Sequence, residues 1–579
     1  MRQHRIAPPL LLAAFVALAL AFSVTIPLGE APDEVSHWSY VQYLSTHWQL
    51  PPPSGAVSGE SHQPPLYYLI SAIATAWIPR EDFQVIANPD FALGDPQASN
   101  LLLHTRREEF PYRGEPLAWH LVRLLSVAMG AVTVWAVWQL ATVFFPGDGW
   151  IALGAASFTA FLPGFISLSA VVNNDNFVVM LSSLTILQVV RTSRRPLRRA
   201  DAAVLGVLLG LAALAKLSGL VVWLFVAAVL SFRAVRSREW RSDALRAALC
   251  FGVAAVMVSP WVIYNLQKYG DPLGWALVLS VTPLRHTPLT VNDWATLARG
   301  LYTSFWGRFG GGLIIHLPNA AYAMFGGSIV LSLIGWARYA RQRPQSATAR
   351  ALVALFALFW LLMLAAFVRW TLVVLGTDQA RQLFPGLPLL AVFLVAGIAR
   401  LAPVHKEIVL ALWSAAFFAA ALGSLFYLDS NYALSQQSLA ALPPLDHPSA
   451  RADFGQTIRV ADFRIDKTRA APGDTIMTEI YWQALSNPTE DYWLLLQVAD
   501  KNGAVANKDG VPSAGRLTTD WWQSGQVFAS HHALVIPQDI APGNYTLRLG
   551  LHPFGKWDWL PVRGGEMLDL NSLVIAARP

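Results

Sequence analysis

The chain has 579 residues, of which 54% are apolar and only 13% charged, about half the charged share of an ordinary soluble protein. That excludes a disordered chain, which is apolar-poor and charge-rich, and it excludes a single soluble domain. The lone cysteine, Cys250, excludes a disulfide framework and any cysteine-built zinc or iron–sulfur site.

In chain order, apolar runs suited to crossing a bilayer lie near 8–28, 121–144, 150–171, 175–190, 202–216, 218–235, 245–265, 320–340, 350–369, 383–402 and 407–428. The first reads as an uncleaved span, longer than the apolar region of a usual signal peptide. A twelfth stretch, 64–79 (PPLYYLISAIATAWIP), is bracketed by prolines. Basic residues decide its status. Loop 191–199 holds five Arg, loop 232–246 holds five, and loop 338–350 holds four. The positive-inside rule wants all of these cytoplasmic, and that requires 64–79 not to cross. The reading is therefore eleven crossings, a helix on the outer surface at 64–79, a cytoplasmic N-terminus and an extracytoplasmic C-terminus in the cell membrane. The net charge of +6 is then mostly a topology signal, and no nucleic-acid partner is expected.

From about Phe454 the pattern changes to short alternating runs (TIRVADFRID, TIMTEIYWQA, YWLLLQVAD, HHALVIP, YTLRLGLH) separated by turns such as Pro472-Gly473-Asp474 and Asn502-Gly503. This predicts an antiparallel β-sandwich. The expected organisation is a polytopic α-helical membrane domain over 1–430, a linker over 431–453 and an extracytoplasmic all-β domain over 454–579.

With that topology the unusual polar residues gather on the outer face. Glu30, Asp33, Glu34 and His37 follow the first span. His62 and Gln63 precede the surface helix, Asn173–Asn176 join the third and fourth spans, Lys216 lies between the fifth and sixth, and Asp378, Arg381 and Gln382 precede the tenth. Ionisable groups at membrane depth are costly and usually mark function, so an outward-facing site is expected. Asp33 and His37, four residues apart, share a helix face. Asp33 reads either as a general base whose pKa its surroundings can raise or as a helix-capping Asp beside a solvated Glu. A Ca²⁺ or Mn²⁺ site built from Glu30, Asp33, His37 or the asparagines is a further reading. Lys216 either snorkels or faces a lipid phosphate. Arg381 and Arg123 carry the same alternatives, guanidinium being suited to phosphate. Asn174 and Asp175 belong either to a polar turn or to a substrate shell. Gly310-Gly311-Gly312 lacks the remainder of a phosphate-binding loop.

These residues carry a resemblance. APDEVSHWSYV after the first span, HQPPLYYLI at the surface helix, VVNNDNFVV, AKLSGL and DQARQLFPGLP together resemble the GT-C glycosyltransferase superfamily, specifically bacterial relatives of protein O-mannosyltransferases and aminoarabinose transferases, over about 8–430. The resemblance implies a glycosyltransferase with a polyprenyl-phosphate sugar as donor and an acceptor glycan, lipid or protein outside the cytoplasm. It makes Asp33 the catalytic base and gives Glu34 an acceptor-orienting or metal role. The position before Pro64-Pro65 often holds a phosphate-binding Lys in such enzymes. Here it is Gln63, which shifts that role to His62, Lys216, Arg381 and Arg123. His37, Asn174, Asp175 and Asp378 fall in the substrate or metal shell. No cofactor is required by this reading, and a divalent metal stays open. Direct attack by the acceptor implies inversion. The competing functions are a transporter or flippase of lipid-linked sugar, a polysaccharide ligase or polymerase, and a non-catalytic scaffold for the β domain.

Overall fold

The computed structural model describes residues 3–53, 58–79, 83–89, 91, 100–342, 346–432, 438–443, 451–512 and 517–577. Arg343 and much of the expected linker lie outside the described residues. The helices are α1 (Gln3–Thr25), α2 (Glu34–His47), α3 (Leu66–Thr75), α4 (Gly114–Phe144), α5 (Gly149–Ala160), α6 (Pro163–Ser169), α7 (Asp175–Ser193), α8 (Arg199–Ala215), α9 (Leu220–Arg236), α10 (Trp240–Tyr269), α11 (Trp275–Val281), α12 (Val291–Trp306), α13 (Asn319–Ala340), α14 (Ala347–Thr371), α15 (Leu387–Ala399) and α16 (Lys406–Tyr432). The chain is a polytopic helical membrane protein with a C-terminal β domain.

Among the described residues nine helical stretches are long and apolar enough to cross a membrane, and ten if α5 and α6 form one span bent by 62°. The bend falls where Pro163 opens α6, the position at which a missing N–H costs least. The remaining expected crossing, the fifth at 202–216, is α8. Its 17 residues reach about 26 Å at 1.5 Å per residue, the lower limit for a span. The ten residues of α3 reach only about 15 Å, too short to cross.

Small residues let α8 and α10 approach closely. A Cβ on Gly206 would lie 2.4 Å from the Cys250 carbonyl oxygen, and one on Gly210 would lie 2.8 Å from Met257. Without a hydrophobic drive between helices in lipid, such small-residue crossings supply the packing. They matter here because α8 ends at Lys216, whose backbone turns extended (φ −163°, ψ 146°).

The contacts divide the chain into two compact units. One comprises Met1–Glu81 with Leu117–Asn431, the other Asp82–Pro116 with Tyr432–Pro579. This amends the expected boundary, because residues 82–116 fold with the β domain and not with the membrane domain that flanks them in sequence. The short strands β1 (Ile86–Ala87) and β2 (Leu102–Leu103) pair in that segment, and β3 (Arg308–Phe309) and β4 (Ile315–His316) pair in the membrane unit. The β domain contains β5 (Ala452–Phe454), β6 (Ile458–Ile465), β7 (Arg469–Ala470), β8 (Thr475–Ala484), β9 (Tyr492–Asp500), β10 (Gly503–Gly510), β11 (Val527–Val535), β12 (Gly543–Pro553) and β13 (Leu568–Ile575). They form a five-stranded sheet, β10-β9-β12-β13-β7, and a four-stranded sheet, β11-β8-β6-β5. Alternate residues such as Ile476, Ile480, Trp482, Leu494, Leu496, Leu547 and Leu549 fill the core. The 82–116 segment is tied to this domain by the Arg106 amide donating to Asp520 (2.8 Å) and by Thr518 and Trp521 donating to the His104 carbonyl (3.0 and 3.1 Å).

Gly206→Leu is expected to push α8 off α10 and to lower the thermal midpoint of the detergent-solubilised protein by several degrees, while an exposed change on α8, Val204→Leu, leaves it unchanged. Equal midpoints for all three proteins would show that the crossing is not tight.

Candidate functional site

Glu34, the first residue of α2, is fully buried and accepts five hydrogen bonds: two from Arg123, and one each from the Trp119 indole and the Gly29 and Val172 amides, at 2.7–3.1 Å. Arg123, on α4 and equally buried, gives its remaining donors to the carbonyls of Ser23, Ile26 and Pro27 at 2.6–3.0 Å. All five N–H groups of the guanidinium are thereby used. This corrects two expectations. Arg123 has no donor left for a phosphate, and Glu34 is enclosed in an ion pair that fixes the end of α1, the start of α2, α4 and the turn before α7.

The residue before Glu34 has the opposite environment. Asp33 adopts φ 61°, ψ 5° at the N-cap of α2, and its side chain caps nothing. The left-handed region is uncommon for a residue other than glycine, although Asp is among the few that enter it. Such conformations concentrate at functional sites. Half-exposed, the carboxylate accepts a short hydrogen bond from Arg381. Both halves of the capping alternative therefore fail: Asp33 does not cap, and Glu34 is not solvated.

Three further segments converge on this carboxylate. The tight turn Ala380–Gly386 supplies Arg381, which also donates to Gln379 (2.9 Å) and the Pro32 carbonyl (3.4 Å). The start of α7 supplies Asp175, 3.8 Å from Arg381 and 2.7 Å from the Lys216 ammonium. The break after α8 supplies Lys216. Two cations and two carboxylates thus alternate around one centre. Gln63 accepts from Asn174 (3.3 Å) and contacts His62 (3.1 Å), which brings the 60s turn against the Asn173–Asn176 turn. Asn176 spends its amide on the carbonyls of Leu168, Val171 and Asn173 and shapes that turn. His37 is buried behind Asp33 with Nδ1 2.8 Å from the Tyr68 hydroxyl, and Tyr68 stacks on Tyr40 with ring centroids 3.8 Å apart. Asp378 pairs elsewhere, with Arg308 at 2.9 Å.

Glu60 is the site residue that the sequence did not single out. It sits in a helical turn, Ser58–Glu60, packed against α2 so closely that a Cβ on Gly59 would lie 2.7 Å from Ser36 Oγ. Its Oε2 is buried without a hydrogen-bond partner, as are Asn173 Nδ2 and Asn174 Oδ1 in the same site. Buried polar atoms normally find partners, so this concentration marks where a polar ligand fits. Only an acidic residue near a Pro-rich turn was visible in the sequence, with no spacing relation to Asp33.

The charges explain the titration behaviour. Burial alone raises the Asp33 pKa, but Arg381, His37 and Lys216 outweigh it and hold the carboxyl below its usual range. Burial and the Asp33 charge push Glu60 up to about 7, against the opposing pull of Lys216. Burial lowers His37 well below its ordinary value, and burial with the nearby Lys216 brings His62 down to about 4. Among the described residues no three His, Cys, Asp or Glu side chains converge to hold a metal ion. Asp33 and Asp175 already have Arg381 and Lys216 as counter-ions, so the donor set fits a phosphate better than a divalent cation.

Residues 119–264 match the family model described as dolichyl-phosphate-mannose-protein mannosyltransferase. The match includes Asn174, Asp175 and Lys216 and agrees, over those residues, with the resemblance to relatives of protein O-mannosyltransferases. ArnT from Cupriavidus metallidurans in the apo state is 13% identical, with 72% of this chain and 76% of that chain covered and a TM-score of 0.45. The same protein bound to undecaprenyl phosphate gives 13% identity, 73% and 76% coverage and 0.44. The Archaeoglobus fulgidus oligosaccharyltransferase, in complex with Zn and sulfate, is 14% identical with 73% of this chain covered and a TM-score of 0.41. This chain spans 52% of that protein's length. None of the curated proteins compared matches the sequence.

Two outcomes are expected. Arg123→Gln leaves Glu34 buried without its counter-ion and should destabilise the protein by about 3–5 kcal/mol, read as a lowered denaturation midpoint; an unchanged midpoint would refute the clamp. Glu60 binds its proton more tightly in the folded state, about 7 against 4.5. Its contribution is therefore fully present below pH 4.5 and is lost as pH rises toward 7. Glu60→Gln should flatten the fall in thermal stability across that window, whereas parallel curves would show that Glu60 titrates normally.

Proposed function

We propose that this chain is a membrane glycosyltransferase that moves a sugar from a polyprenyl-phosphate donor to an acceptor hydroxyl on the outer side of the membrane, with Asp33 as the base. The family-model match supports the general class. The observation that carries the finer reading is the alternation of Asp33, Arg381, Asp175 and Lys216 beside buried polar atoms that lack partners. A phosphate monoester or diester anion fits the two cations. A carboxylate fits the proton of an attacking hydroxyl.

The ion pairs imply an order of events. With Arg381 on its carboxylate, Asp33 is a weak base. A donor phosphate competes for the same guanidinium, whose planar donors match its oxygens in pairs. As Arg381 turns to the phosphate, Asp33 loses its counter-ion and becomes more basic. The acceptor oxygen then bonds to the anomeric carbon while the bond from that carbon to the phosphate oxygen breaks. The proton passes from the acceptor hydroxyl to Asp33, and polyprenyl phosphate leaves with its negative charge held by Arg381 and Lys216. One displacement inverts the anomeric centre. Asn174 and Gln63 offer neutral polar contacts to sugar hydroxyls, and Glu60, pushed up to about 7, offers a donor beside them in its neutral form.

The test is sugar transfer by the purified protein in lipid with a panel of polyprenyl-phosphate sugars. Asp33→Asn is the apt variant because Asn also tolerates the left-handed backbone. It should fold normally and lose at least about 100-fold in release of polyprenyl phosphate, and the parent's product should show inverted configuration in its NMR coupling constants. Equal release by parent and variant would remove Asp33 as the base. No release from any donor with any acceptor would remove the transferase reading.

A further inference from the structure

A cavity of about 530 Å³ lies at the basic ends of α7, α8, α9 and α10. It is separate from the site above. Asp175, the first residue of α7, belongs to that site, whereas Ser193, the last, lines this cavity. As the two ends of a 19-residue helix they lie about 27 Å apart.

Part of the cavity is a braced frame. Arg233 donates to the carbonyls of Thr192 (3.0 Å) and Arg195 (2.9 Å) and lies 3.5 Å from Asp243. Arg195 makes two hydrogen bonds to Asp201, at 2.6 and 2.8 Å. These two arginines are committed. Arg194 and Arg236, also on the lining, are exposed, and among the described residues neither has a carboxylate within ion-pair distance. The Arg236 guanidinium lies over the Phe232 ring at 4.5 Å, a contact that leaves its hydrogen-bonding edge available. Arg195 has Asp201, and Arg233 shares Asp243 with Arg246, which lies 3.0 Å from it, so among the described residues the charges of Arg194 and Arg236 are uncompensated. Below this rim the walls are apolar, formed by Val189, Leu205, Val229 and Leu230.

We infer that this cavity binds the phosphate headgroup of an anionic membrane phospholipid, with the adjoining lipid chain against Val189, Leu205 and Leu230. Arg194 and Arg236 meet the phosphate, Ser193 and Ser237 stand at the same rim, and the Arg233 frame keeps the cleft open. The apolar walls select the lipid over a free anion, since inorganic phosphate gains nothing from them. Basic pockets between membrane helices suit anionic headgroups for this reason. The inference is independent of the transferase reading, because it concerns the opposite end of α7.

The experiment is native mass spectrometry of the full protein released from membranes doped equally with phosphatidylglycerol and phosphatidylcholine. The parent should retain phosphatidylglycerol in preference. Arg194→Gln with Arg236→Gln should reduce that preference about thirtyfold, as the loss of two basic residues at an anionic surface implies, and Arg194→Lys with Arg236→Lys should keep most of it. A preference unchanged in the Gln pair overturns the site. Equal retention of the two lipids by the parent overturns it also. Displacement of the lipid by millimolar inorganic phosphate would reassign the cleft to a free anion. The thermal midpoint of the Gln pair, expected to match the parent's in lipid-free detergent, separates lost binding from lost folding.

Discussion

The buried ion pair of Glu34 and Arg123 is the constraint on which the site depends. Removing two charges from water is expensive, and attraction offsets that cost only when the remaining lone pairs and N–H groups are also satisfied. Here they are. The guanidinium uses every donor and the carboxylate accepts from four different residues, so the pair ties together the end of α1, the start of α2, α4 and the turn before α7. Because Glu34 is held on one side of the turn, Asp33 is held on the other. Its left-handed backbone is then determined by its neighbour's anchoring, and its carboxylate is presented toward Arg381 instead of folding back onto the helix N-terminus. Two adjacent acidic residues acquire opposite roles from one local bend.

The charge arrangement around Asp33 follows from the same economy. Four ionised groups in a poorly solvated site are tolerable because signs alternate and each has a partner within reach. A fifth, Glu60, has only a share of the same cations and is better accommodated as the neutral acid. Binding an anion shifts this balance at every member, since Arg381 and Lys216 cannot serve both the carboxylates and the newcomer equally.

Much of this was legible in the sequence. Apolar runs and basic loops gave the spans, because hydrocarbon thickness and loop charge act on segments and not on individual contacts. Alternation and turn dipeptides gave the strands of the β domain. Asp33, Lys216, Arg381 and Asp175 were all candidates and the structure brings them together. What the sequence could not distinguish was an Arg or Glu sealed inside a closed pair from one facing a ligand. Arg123 and Glu34 have the right chemistry for a site and the wrong surroundings. Asp378 has the right neighbours in sequence and a different partner, Arg308. Glu60 carries no signature, since its relation to Asp33 arises only when the turn Ser58–Glu60 packs on α2. The α8 helix was legible as apolar but sits at the length where spanning is decided by neighbours.

The β domain is discontinuous: Asp82–Pro116 joins it from a point more than 300 residues before Tyr432. A chain emerging from the ribosome must insert nearly all of its membrane helices while the His104 carbonyl, the Arg106 amide and the apolar faces of Ile86 and Leu103 still lack Thr518, Trp521, Asp520 and Val511. The early segment lacks these partners until residues 511–521 have been made. A protein cut short after α16 would therefore leave these groups of the early segment without the partners that the C-terminal domain supplies.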